Sequence, residues 1–325
     1  MYKIWIIILI LIAVVVMGIF LNISHDQNIP KIGKGEISTL QQKYKRFYSM
    51  NTMNKIIRNS PNNYELGNIL ERYSITAYPR LKTQRSIEIL KRELKEKHSS
   101  NLYTRLIKAL NIQPEEQTPT LILKHENNTV IIKYGEFEMK IPSYRYDILK
   151  QYGTDNEILE CAVEYASFLP KSQQWAIPLE EYKKFVEHGA TIEGFASPFN
   201  SQIIRISPDL KYCSLSEYDK KFGSLGNFFD QDFGNKIVIV NPPFIEDILE
   251  KASRKCINEL DKHKSKFIFY GPAWSDSAFY KLLSESKYKT SQTTLYKNTY
   301  YYEDLLNDQK IPARFNSVVF TLERL

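Results

Sequence analysis

Asn241, Pro242, Pro243 and Phe244 stand directly behind a run of four β-branched residues, Ile237 to Val240. These residue types, in this order, suit one chemistry: methylation of the exocyclic amino group of a planar base. The lone pair of such an amine is delocalised into the ring, so the nitrogen is a poor nucleophile. Two acceptors that grip its N–H groups favour pyramidalisation as it attacks a methyl sulfonium. The Asn241 side-chain oxygen and the Pro242 carbonyl are the candidate acceptors, and Pro243 continues the rigid segment. Proline fixes φ, so the second carbonyl is held without flexibility. Phe244 offers a face on which a base can stack. The competing reading is a plain strand-ending turn, since Asn-Pro is a turn dipeptide.

The elements that must position this tetrapeptide follow from periodicity. Ile237 to Val240 read as a buried strand of a parallel sheet. Ligands of open α/β sheets sit at the carboxyl ends of strands, where Asn241 begins. The last 155 or so residues alternate strand and helix, which argues for a parallel α/β sheet. Strands are predicted at 191–196, 237–240, 266–270, 293–297 and 317–322, and helices at 179–188, 245–262 and 276–286. The final strand pair could supply an antiparallel edge. Upstream, residues 145–169 have helical period, and 120–141 read as a β-meander turning at Glu126-Asn127-Asn128. Residues 38–110 show helical spacing, as in Ile87, Leu90 and Leu94, with a basic cluster (Arg80, Lys82, Arg85, Lys91, Arg92, Lys95, Lys97) interleaved with glutamates. That pattern is a solvated helix face before it is a nucleic-acid surface.

With 325 residues, 43% of them hydrophobic, the chain can bury a sizeable core, and a net charge of +7 favours a polyanionic partner. Cys161, Cys213 and Cys256 are too widely spaced for a disulfide framework, and the five histidines show no ligand spacing, so no metal is expected. Ile4 to Leu21 carry no charge, which predicts a transmembrane helix over 4–21, followed by a polar linker containing Pro30, Gly33 and Gly35. The run exceeds the usual signal-peptide core and lacks a clear cleavage site. Lys and Arg after the segment put the main body in the cytoplasm.

Two further segments gather around the first. Strand 191–196 leads into Phe195-Ala196-Ser197-Pro198-Phe199-Asn200, a loop that could cradle a cofactor. Next, Asp219 precedes Phe222-Gly223-Ser224-Leu225-Gly226 and could accept hydrogen bonds from ribose hydroxyls. Taken together, Gly-Phe-Ala-Ser-Pro-x-Asn, Asp-x-x-Phe-Gly-Ser-x-Gly and Asn-Pro-Pro-Phe resemble the phosphorylated-CTD-interacting factor family. The likeness continues through Ala176-Ile177-Pro178, Phe269-Tyr270-Gly271-Pro272-Ala273-Trp274 and Asn316-Ser317-Val318-Val319-Phe320, and covers roughly residues 145 to 325.

The resemblance implies a cap-specific mRNA adenosine N6-methyltransferase that uses S-adenosylmethionine on the first transcribed 2′-O-methyladenosine. It implies that Asn241, Pro242, Pro243 and Phe244 hold the adenine. Phe195, Ala196, Ser197, Pro198, Asn200, Asp219, Phe222, Gly223 and Ser224 would surround the cofactor, and Trp274 would sit at the substrate mouth. Trp5, Trp175 and Trp274 do not supply the paired tryptophans of a WW module, so WW-mediated binding of the polymerase tail is not expected.

The expected fold is therefore α/β, a class I (Rossmann-like) methyltransferase sheet over 145–325, with a helical and β-meander accessory region over 25–144 and a transmembrane anchor over 1–24. The expected partners are RNA, as capped mRNA, and a membrane reached through residues 4–21. Two other functions stay open: a DNA adenine N6-methyltransferase, and a catalytically silent membrane-anchored RNA-binding relative. The Lys-, Ile-, Asn- and Tyr-rich composition points to an AT-rich genome, such as that of a protist or a large DNA virus. Oligomeric state is not legible.

Overall fold

The alternation of one apolar and one differently directed residue along β7 (Ile237–Val240) and β8 (Lys266–Pro272) splits their side chains between two faces of one sheet. Val238, Val240, Phe267 and Phe269 pack on one face against Leu249, Ala252, Cys256 and Leu260. Those four recur every three to four residues along α6 (Glu246–Lys262), so one stripe of the helix covers the sheet. On the other face, Ile239, Ile268 and Tyr270 join Tyr182 of α5 (Leu179–Glu187) and Ile203 and Ile204 of a single helical turn. Each fully buried Phe or Leu contributes about 1.5–3 kcal/mol.

The computed structural model describes residues 40–60, 92, 100–115, 119–168 and 174–324. Its main sheet has six strands in the order β6-β5-β7-β8-β12-β9. Here β5 is Ala190–Ala196, β6 Lys211–Ser214, β12 Ser317–Glu323 and β9 Lys289–Leu295. β6, β5, β7 and β8 pair in parallel, and β12 runs antiparallel to both β8 and β9. The loops after β5, β6 and β7 therefore open on one edge of the sheet. A smaller sheet joins β4 (Trp175–Ala176) to the hairpin of β10 (Tyr301–Asp304) and β11 (Gln309–Pro312).

The β-meander forms as β1 (Leu121–Glu126), β2 (Thr129–Tyr134) and β3 (Phe137–Pro142), all antiparallel. Asn127 takes a φ of 49° at its first turn, a left-handed value that asparagine tolerates. Two helices flank it: α1 (Leu40–Arg58) and α2 (Ser100–Leu110). Residues Thr39–Leu325 form one compact unit. Within it, Tyr44 and Phe47 of α1 share a hydrophobic cluster with Val130, Ile132, Phe199 and Phe222.

Several expected boundaries move. The helix over 145–169 is two helices, α3 (Ser143–Lys150) and α4 (Asp155–Phe168). Thr154 and Glu157 exchange bonds in a capping box, Thr154 N–H to Glu157 Oε2 at 2.9 Å and Glu157 N–H to Thr154 Oγ1 at 3.3 Å. β9 starts four residues before the expected strand, at Lys289, because pairing with β12 and not apolar content defines this polar edge strand. Helix 276–286 contracts to α7 (Ala278–Ser284). The short strands β4, β6, β10 and β11 carry too little periodicity to have been expected.

The fold class expected from the sequence, with its membrane anchor, needs correction. The unit is a mixed α/β structure, and among the described residues no helix is long and apolar enough to cross a membrane. The two longest described helices show why: α1 carries Lys43, Lys45, Arg46, Lys55 and Arg58, and α6 interleaves acidic with basic residues throughout. Residues 4–21 and the linker over 25–37 lie outside the described residues, as do Ile87, Leu90, Leu94 and all of the basic cluster except Arg92. The single-pass anchor, the membrane as partner and the membrane localisation are accordingly set aside.

α1 is fastened to α4 by a buried cation. Lys43, only 1% exposed, lies 2.6 Å from Glu164 and 3.1 Å from Glu160, with its ammonium 3.7 Å from the centre of the Tyr218 ring. Lys43→Met should lower the unfolding free energy by about 3–5 kcal/mol, because it leaves carboxylates without their counter-charge. Urea denaturation measures this; a midpoint equal to that of the parent would show that the ion pairs do not hold α1 in place.

Candidate active site

Three parallel strands deliver three loops to one edge. β7 ends in Asn241-Pro242-Pro243-Phe244. The Asn241 side chain and the Pro242 carbonyl have no hydrogen-bond partner among the described residues, while the Pro243 carbonyl accepts from Ile245 N–H at 2.7 Å. That bond turns the chain into α6. Asn241, Pro243 and Phe244 are half-buried and Pro242 is buried. The Phe244 ring meets Phe315 at 5.7 Å and Tyr302 at 6.4 Å, both edge-on. The resulting wall continues from Tyr302 to Trp175, stacked at 6.5 Å.

The loop after β5 is locked from within. Asn200 Oδ1 accepts from Ser197 N–H at 2.6 Å, and Ser197 Oγ accepts from Phe199 N–H at 3.1 Å. Ser197 Oγ donates to Gln174 Oε1 at 2.6 Å, and Asn200 Nδ2 donates to the Trp175 carbonyl at 3.4 Å. Gln174 and Trp175 thereby join this loop to the aromatic wall beside Phe244. Pro198 is buried, and its carbonyl accepts from the fully buried Arg145 at 3.4 Å. Burial lowers the Arg145 guanidinium to about 10. Phe195 and Ala196 are half-buried at the strand end, Phe195 packing on Phe228 at 4.6 Å and Phe229 at 5.8 Å. A side chain at Gly194 would approach the Ile239 carbonyl to 3.2 Å, so glycine lets β5 and β7 lie close there.

The direction of the β5 loop depends on Glu193, which motif reading passed over. Its carboxylate is buried in the strand and accepts from Tyr182 Oη at 2.7 Å, Ser201 Oγ at 2.8 Å, Gln202 N–H at 2.9 Å and Ile203 N–H at 3.2 Å. Burial raises its carboxyl above the usual range, and these donors oppose the rise. A lone acidic residue inside an apolar strand was the available signal, since an unpaired carboxylate would not be buried there.

The third segment follows β6. Ser224 Oγ and Ser214 Oγ lie 2.7 Å apart, and Leu225 N–H donates to the Tyr212 carbonyl at 2.8 Å. Gly223 adopts φ 88°, a left-handed value suited to glycine, where it ends the short helix Glu217–Phe222. Phe222 is fully buried in the cluster shared with α1 and the meander. Asp219 departs from its expected role. Its side chain has no exposure; one oxygen accepts from Tyr165 Oη at 2.5 Å and the other from Cys161 Sγ at 3.5 Å. A ribose acceptor needs an accessible oxygen, and the accessible carboxylate of this turn is Glu217, paired with Lys220 at 2.5 Å. Trp274, 42% exposed, stands just past the end of β8.

Two other groupings lie apart from these loops. Asp232, Glu259 and His263 have ligand atoms within 4.8 Å of one another, but Glu259 is already held by Lys255 at 3.0 Å and by Phe233 N–H at 3.0 Å. A cavity of about 510 Å³ opens beneath α5, lined by Lys184, His188, Lys266 and hydroxyls of β9 and β12. It sits at the amino end of β8, the end of the sheet away from Asn241.

Burial pushes the Asp219 carboxyl up to about 7. The folded state therefore binds this proton more tightly than the unfolded chain does. The stability that follows is fully present below about pH 4 and is lost as the pH rises through about 7. Asp219→Asn should remove this dependence, so parent and variant should differ in stability more at pH 8 than at pH 5, with the variant gaining at the higher pH. Urea midpoints at the two pH values check this, and a constant difference would refute it.

A family model described as the phosphorylated CTD interacting factor 1 WW domain matches residues 144–305. In this chain that span includes Trp175 and Trp274 and folds as the α/β structure from α3 to β10. No curated protein matches the chain. A crystal structure of Thermoplasma acidophilum 1320 is 16% identical, with a TM-score of 0.30, over 55% of this chain and 96% of its own. The family match encloses all three loops at the ends of β5, β6 and β7, and it relates the chain to the phosphorylated-CTD-interacting factor family, a relationship that suggests a methyltransferase.

Proposed function

We propose that this protein transfers a methyl group from S-adenosylmethionine to the N6 amino group of adenosine in RNA, the cap-adjacent 2′-O-methyladenosine of mRNA being the target. One observation carries the reading: two acceptors, the Asn241 amide oxygen and the Pro242 carbonyl, follow one another at a strand end without a partner among the described residues, two positions before the Phe244 ring. The family match supports the same class of reaction.

Asn241 and Pro242 accept the two N–H bonds of the adenine amino group, and this grip strengthens as the nitrogen becomes tetrahedral. Phe244 stacks on the base, its position set by Tyr302 and Phe315. S-adenosylmethionine supplies an electrophilic methyl group. The residues at the ends of β5 and β6 fit such a molecule. Phe195 and the exposed Phe229 offer aromatic faces for its adenine, Gly223 has the glycine conformation that lets backbone approach, and the exposed Glu217 is the carboxylate assigned to ribose hydroxyls. Ser197, Pro198 and Asn200 hold the loop that faces it.

Asn241→Ala should cost on the order of 10²–10³ in turnover with cofactor affinity little changed, by analogy with loss of an oxyanion-hole donor. Mass spectrometry of capped RNA, uncapped RNA and DNA oligonucleotides after incubation with protein and cofactor measures turnover and separates the substrates. Normal turnover in the variant sinks the mechanism, and methylation of DNA alone replaces the RNA reading with a DNA adenine methyltransferase. Calorimetric titration of the cofactor should weaken for Glu217→Ala and not for Asp219→Asn; the reverse pattern would return the ribose role to Asp219.

A further inference from the structure

Three of the six large hydrophobic side chains that are exposed among the described residues stand on neighbouring loops at the end of the sheet that carries Asn241: Trp274 at 42%, Tyr296 at 62% and Phe315 at 36%. Strand pairing puts them there. Ser317 at the start of β12 faces both Pro272 at the end of β8 and Leu295 at the end of β9, so the loops bearing the three rings leave one row of residues.

Asn316 knits those loops together. Its carbonyl accepts from Ala273 N–H at 2.9 Å, and its Oδ1 accepts from Lys297 N–H at 2.9 Å. Asn298 N–H donates to the Ala313 carbonyl at 2.8 Å, and Tyr300 Oη donates to the Phe315 carbonyl at 3.0 Å. The loops are thus tied to one another, yet their rings remain in solvent. Phe315 also touches Phe244, which makes the exposed surface continuous with the base-gripping residues. Lys297 and Arg314 are exposed on the same loops, and Asp276 is the one acidic residue in the segments 273–277, 296–300 and 313–316. Rings held on bonded loops that carry two cations and one acid match a strand whose bases stack and whose phosphates carry the charge.

We propose that Trp274, Tyr296 and Phe315 form a stacking platform for the bases that flank the target adenosine in single-stranded RNA, with Lys297 and Arg314 on its phosphates. The inference rests on the reading of Asn241–Phe244 as the base-gripping site, and it adds a length requirement: a nucleotide beyond the target must contribute to binding.

Fluorescence anisotropy of the full chain with labelled adenosine-containing RNAs of three and nine nucleotides tests it. The longer RNA should bind more tightly. Tyr296→Ala should weaken the longer RNA by roughly 5- to 150-fold, the range for one base stack removed, and affect the shorter one less. Lys297→Gln combined with Arg314→Gln should flatten the salt dependence by about 0.7 in log–log slope for each phosphate left without its cation. Equal affinity of parent and Tyr296→Ala at both lengths overturns the platform, as does loss of self-association or of protein binding without loss of RNA binding. Length-dependent binding by a parent protein that methylates no adenosine would leave the platform standing while removing the proposed reaction.

Discussion

A carboxylate buried in the middle of a strand is the constraint from which the site's geometry follows. Glu193 lies in β5 with four donors around it, from α5 and from the turn over 201–203. A carboxyl group in an apolar sheet is tolerable only when hydrogen-bond partners surround it, so the chain beyond β5 must fold back to supply them. That return leaves residues 197–200 no freedom to extend, and they close into a self-bonded loop. The loop after β5 is therefore shaped by a group buried behind it in the strand.

The same loop is coupled to the end of β7 through Gln174 and Trp175. Ser197 and Asn200 bind this short segment, Trp175 stacks on Tyr302, and Tyr302 meets Phe244. A chain of packed rings and hydrogen bonds thus links the end of β5 to the end of β7, although these strands pair along only part of their length. A reaction between two bound molecules demands close alignment of the reacting atoms, and a link of this kind would serve the proposed methyl transfer.

Behind the sheet, the helices and meander act as a brace. Lys43 joins α1 to α4, and α4 supplies Tyr165 and Cys161 to the Asp219 carboxylate. Phe199 and Phe222 insert from the two loops into the cluster that also holds Tyr44, Val130 and Ile132. The expected boundary between residues 144 and 145 falls within this shared packing. Asp219, taken from its motif as a cofactor contact, belongs to that brace: its neighbours Phe222 and Tyr218 are drawn inward, and the carboxylate goes with them.

The strand over 237–240, its breaking prolines and the helix behind it were legible in the sequence, because β-branched residues, fixed φ and 3.6-residue periodicity act locally. The meander was legible for the same reason, and so were the residue types of the Asn241–Phe244 tetrapeptide and of the loop from Phe195 to Asn200. Three features were decided only in three dimensions: the order β6-β5-β7, the meeting of Tyr302 with Trp175 and Phe315, and the inward turn of Asp219. None of these leaves a periodic trace, since each depends on which distant segment offers a hydrogen-bond partner or an apolar surface once the core has closed. The apolar run over 4–21 marks the opposite limit. Its composition pointed to a spanning helix, whereas the helices that the fold builds among the described residues carry charges along their length and bury a single stripe against the sheet and meander.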